Sequence, residues 1–116
     1  MVNKVLEHGT LYIKNEVLAM ITSICIDEMD GIKISTSIRD GVVGLINRNY
    51  HKNGIMIINQ ENELQLEIKI ALQVGMKIIK TCEHIQKTII QEIKAMTGIR
   101  LLSVKISVEE LSNTPN

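Results

Sequence analysis

Two periods of apolar residues alternate along the chain. In "GTLYI", residues 9 to 13, Leu11 and Ile13 alternate with Thr10 and Tyr12, the period of two of a half-buried strand. Beyond it Val17, Leu18, Ile21, Ile24 and Cys25 fall three and four apart while Asp27 and Glu28 turn toward water. This predicts an amphipathic helix with Asn15 as its N-cap. Gly31 is expected to end it as a left-handed cap, with Ile32 folding back on Ile26. Residues 55 to 74 read as a hairpin: "IMIIN", a polar turn near Gln60 to Asn62, then "ELQLEIKIALQV", whose Leu64, Leu66, Ile68, Ile70, Leu72 and Val74 share one face. Such a strand needs a covering layer. Ile78, Cys82, Ile85, Ile89 and Ile93, widened by Ile79 and Ile90, supply it as the stripe of a helix over residues 76 to 97. Gly98 is the expected second cap, closed by Ile99, and "LLSVKISVE" returns to the period of two with Leu102, Val104, Ile106 and Val108 inward.

In order, these pieces give strand, helix, strand, strand, helix, strand. The fold class is therefore α+β, a βαββαβ arrangement of the split ferredoxin-like kind: a small, mostly antiparallel sheet with two helices packed on one face. The far face of that sheet would carry Gln65, Glu67, Lys69, Ser103, Lys105 and Ser107, a polar surface of mixed charge. The outward face of the second helix carries Lys80, Glu83, Lys87, Gln91 and Lys94, and is either solvated or meets a partner. Residues 32 to 54 fit no single period. They form a long variable or mobile segment, of a length uncommon unless functional.

Composition narrows the function. A chain of 116 residues suits one domain with one core, here about residues 9 to 110, with a frayed tail over 111 to 116. Thirteen basic and thirteen acidic side chains cancel, and Tyr12 and Tyr50 are the only aromatic residues, so neither electrostatic steering to a polyanion nor a base-stacking platform is expected. No run approaches the roughly 18 apolar residues of a membrane span, and "MVNKVLEHGT" has no signal-like apolar core, which reads as cytoplasmic without a direct span. Cys25 and Cys82 lie within apolar helical stripes without CxxC spacing and read as reduced, buried thiols.

The chemistry-bearing residues form no catalytic constellation. His8, His51 and His84 are scattered, and Cys82 and His84 point about 200° apart on a helix, so no metal site is expected. "IDEMDG" fails as a calcium loop because Ile26 and Ser37 stand where carboxylates are required. No G-x-S-x-G elbow is present, and no catalytic residue, cofactor or enzyme activity is expected. Gly41 and Gly44 form a GxxG followed by Arg48, His51 and Lys52, the pattern with which a KH-like module would clamp RNA. The intervening Val42 and Val43, however, lack the basic residue that meets a phosphate. The plainer reading is an apolar loop that packs on the domain or a partner. Val42, Val43, Leu45, Arg48, Tyr50 and Lys52, with Gln65, Glu67, Lys69 and Lys105, are thus candidates for an interaction surface. An ACT-like regulator that binds a small ligand shares the same order of elements and is the remaining alternative.

Four segments in order resemble the alkaline shock protein family, also called the Gls-type envelope stress response family, found mainly in Gram-positive bacteria. They are "GTLYIKNEVLAMITSICIDEMDGI", the strand-glycine step "LEIKIALQVG", the helix "HIQKTIIQEIKAMTGI" and the closing "VKISVEEL", together covering about Gly9 to Glu110. The resemblance implies a non-enzymatic protein that gathers beneath the cell membrane. It would act as a homo-oligomer, or through a small membrane-anchoring protein, in envelope homeostasis. The middle segment "IKISTSIRDGVVGLINRNYHKN" departs from the glycine-rich stretch often found there in the family.

Overall fold

The computed structural model describes residues 2–35, 50–52, 54–60 and 63–113, with the backbone alone at 50–52 and 60. The elements are β1 (Val2–Leu6), β2 (Gly9–Ile13), α1 (Asn15–Asp27), β3 (Ile32–Ile34), β4 (Tyr50–Lys52), β5 (Ile55–Gln60), β6 (Glu63–Gln73), α2 (Ile78–Thr97) and β7 (Ser103–Ser112). The class is α+β with two helices and mostly antiparallel sheets. The predicted first strand pairs with β1, an element the periodicity did not reveal, in a separate two-stranded sheet. The remaining five strands form the main sheet.

β6 is its axis. β7 runs parallel to it from Gln65 to Gln73, while β5 pairs antiparallel with Glu63 to Ile68 and β3 antiparallel with Ile70 to Leu72. A strand has two edges, and β7 occupies one throughout, so β3 and β5 lie end to end along the other. The backbone of Lys69 joins them: its carbonyl accepts from the Ser35 N–H at 2.8 Å, and its N–H donates to the Gly54 carbonyl at 2.9 Å. Ser35 and Gly54 thus meet at this shared edge, and β4 pairs along the outer side of β5.

Alternation along β6 puts Leu64, Leu66, Ile68, Ile70 and Leu72 in the core with Ile55 and Ile57 of β5 and Val104 of β7. Over this face lie the buried Ile85, Ile89 and Ile93 of α2 and Leu18, Ile21, Cys25 and Ile26 of α1. Several expected core positions are open to solvent. Val74 lies past the end of β6 and is exposed, and Ile78 and Ile79 stand in the first turn of α2 before it reaches the sheet. In α1 the helix is turned so that Ala19 and Thr22 enter the core, with Thr22 Oγ1 donating to the Leu18 carbonyl at 2.9 Å, and Val17 and Ile24 face outward.

The helix ends also differ from the sequence expectation. Asn15 is the first residue of α1, and Lys14, in extended conformation, holds the cap position; its carbonyl accepts from the Val17 N–H at 3.0 Å. α1 stops at Glu28 in right-handed geometry, and Gly31, at φ 81°, is the left-handed residue that turns the chain into β3 instead of the cap itself. The two residues between them, Met29 and Asp30, form a turn that the apolar spacing does not encode. Gly98 is the left-handed cap of α2, at φ 75° and ψ 2°, and its N–H donates to the Lys94 carbonyl at 2.8 Å. Lys4 Nζ donates to the Gly98 carbonyl at 3.0 Å, tying the β1–β2 hairpin to this corner. A two-stranded hairpin is marginal alone in water, and Val2 and Ile13 packed on the core supply its second attachment.

Candidate interaction surface

The helices cover one face of the main sheet, and the opposite face carries the other residue of each alternating pair. Strand register sets Gln65 beside Ser103, Glu67 beside Lys105 and Lys69 beside Ser107 across β6 and β7, with Met56 of β5 beside Glu67. Gln65, Glu67, Lys69 and Lys105 are thus brought together in one neighbourhood. Lys105 Nζ lies 3.3 Å from Glu67 Oε1, an ion pair open enough to water to add little stability by itself. Around it is a shallow depression of about 200 Å³, lined by Gly54, Met56, Glu67, Lys69, Lys105 and Ser107. Toward the C-terminal end of β6, Ser35 Oγ donates to Glu110 Oε1 at 3.4 Å, and Ser107 Oγ donates to Glu109 Oε2. The face can receive an extended or flat partner by hydrogen bonds and paired charges over an apolar floor at Met56.

Most of the other expected surface residues fall beyond what the structure describes. Val42, Val43, Leu45 and Arg48, with the Gly41 and Gly44 pair, lie outside the described residues. Tyr50 and Lys52 belong to β4, in backbone register with Ile57 and Ile55.

A second concave region joins the two helices. Glu28, Met29 and Asp30 at the end of α1 face Met76, Lys80 and His84 at the start of α2 across an open crevice of about 460 Å³. This gives a physical setting for the acidic end of α1. Its carboxylates oppose the dipole of their own helix, but they stand across the crevice from the positive end of α2 and from Lys80. Burial, then the charges of Glu92 and Glu28, push the Cys25 thiol above its ordinary value, and burial does the same to Cys82. Both are held in the unreactive protonated form at neutral pH.

The sequence reading missed the outer side of α1, where Val17, Met20 and Ile24 are exposed at 46%, 65% and 51%. The signal was present: α1 carries more apolar positions than one buried face can use.

A family model matches residues 3–113: the alkaline shock protein 23 family, with cell envelope-related function. The chain belongs to this family. No curated protein and no solved structure matches it. The matched span of this alkaline shock family member holds both helices, the whole open face of the sheet and the helix-end crevice. Among the described residues, no helix is long and apolar enough to cross a membrane, and no three His, Cys, Asp or Glu side chains are grouped to hold a metal ion.

Proposed function

We propose that this alkaline shock family member is a non-enzymatic interaction protein, acting at the cytoplasmic side of the envelope by self-association and by recruitment to a membrane-embedded partner. The observation that carries this reading is the uncovered face of the main sheet. An antiparallel sheet tolerates one solvated face, but here that face holds a paired Glu67 and Lys105 with Lys69 and Gln65 around the floor at Met56. Such a surface offers directional polar contacts to another protein without a reaction centre. The envelope-related family supports the setting.

Capture from detergent-solubilised membranes tests it. Tagged protein at low salt is expected to retain a specific membrane protein, and Glu67→Lys with Lys69→Glu is expected to release it while circular dichroism stays unchanged. Equal capture by both proteins, or none by either, contradicts the reading.

A further inference from the structure

The helical layer carries its charges unevenly. On α1 and the turn that follows it, the exposed charged residues Glu16, Asp27, Glu28 and Asp30 are all acidic. On α2, Lys80, His84, Lys87, Gln91 and Lys94 recur at four, three, four and three residues, which places them on one exposed stripe, with the exposed acids Glu83 and Glu92 to either side of it. Neither helix is corrected at its own end: the last turn of α1 has no basic residue and the first turn of α2 has no acidic one. Between its acidic ends α1 presents Val17, Met20 and Ile24, an apolar stripe at three- and four-residue spacing that its own chain leaves exposed.

We infer that this layer is the interface between two copies of the chain, with α1 of each laid against α2 of the other. The inference rests on the self-association proposed above and names its surface. The crevice shared by the end of α1 and the start of α2 shows that one helix arrives where the other departs. A twofold axis running between the helices and parallel to them therefore sets each α1 over the partner copy's α2 in the opposite sense. Both acidic ends then fall on lysines. Glu28 comes over Lys80 of the second copy and Glu16 over its Lys94. At 1.5 Å per residue the first pair of positions is separated by about 18 Å along α1 and the second by about 21 Å along α2, a mismatch that lysine side chains span. The contact is isologous, so each favourable pairing occurs twice, and Val17, Met20 and Ile24 are covered between the charged ends.

The test is a charge exchange read by sedimentation velocity at low salt. One variant carries Lys80→Glu, Lys87→Glu and Lys94→Glu; the other carries Glu16→Lys, Asp27→Lys and Glu28→Lys. All six sites are exposed, and circular dichroism is expected to match the parent. Each variant alone is expected to associate at least about tenfold more weakly than the parent, and an equimolar mixture to regain association, because both contacts of the mixed pair are again complementary. Parent association that neither variant weakens, or a mixture that fails to regain it, overturns this interface while leaving self-association standing. A strictly monomeric parent overturns both, and a monomer that binds a different protein over these helices assigns the surface to a heterologous partner instead.

Discussion

Gly54 and Ser35 meet where the main sheet's edge is interrupted: a methyl group on Gly54 would run into the Ser35 backbone carbonyl, and Gly54 holds φ at 81°. Both residues bond the backbone of the same residue, Lys69. The glycine is needed for two independent reasons, left-handed backbone and close backbone approach, and the clashing atom belongs to the main chain and cannot swing aside.

Gly54→Ala is therefore expected to cost about 2 kcal/mol or more. Gly98→Ala is expected to cost about 1 kcal/mol, because a methyl there meets only the flexible end of Lys4. Urea unfolding of the two variants beside the parent checks the order; equal costs would mean that the contact with Ser35 is relieved by backbone movement.

Lys69 bonds both Ser35 and Gly54, which lie at neighbouring points of the sheet and flank residues 36–53, β4 among them. Replacing residues 36–53 with a short glycine linker is expected to preserve the pairing of β3 and β5 with β6 and to leave a cooperative unfolding transition. Loss of cooperative unfolding would show that this stretch is part of the core. If the parent captures a membrane protein as proposed above and the shortened protein does so equally, the open face suffices for that binding.

Cys25 gives a pH signature. Its thiol is pushed above the ordinary value of 9.0, so an unfolded chain ionises first. The stability contribution is complete below pH 9.0 and is lost as pH rises through the higher value of the folded state. Melting temperatures from about pH 8 to about pH 11 are expected to fall more steeply for the parent than for Cys25→Ala, and parallel curves would show that the thiol is not the group responsible.

Removing Lys4 tests the hairpin's tether. Lys4→Met takes away the donor to the Gly98 carbonyl and is expected to cost about 1 kcal/mol, with amide exchange rising first in β1 and β2. Uniform loss of protection across the chain would argue that the hairpin is integral to the main core.

What the sequence disclosed followed from strict periodicity. The run from Leu64 to Leu72 has one residue in two apolar without a break, and all five alternating side chains are buried. Ile85, Ile89 and Ile93 were legible for the same reason, at a spacing of four on a helix whose opposite side is charged. α1 was harder: with Val17, Leu18, Ala19, Met20 and Ile21 in succession, the pattern fixes a helix but not which side of it turns inward. β1 was hidden because Val2 and Ile13 alone of its paired residues reach the core, leaving no long alternating run. The open face was readable as a face, since Gln65, Glu67 and Lys69 follow from β6. The pairing of Glu67 with Lys105 required the register between strands far apart in the chain.

The central claim is that the protein works by being assembled at the envelope. Fractionation of cells at native expression tests it most directly. The protein is expected in the membrane pellet, released by high salt or alkaline carbonate without detergent, as befits attachment through a partner. Quantitative recovery in the supernatant as a monomer, under envelope stress as well as without it, would contradict the account.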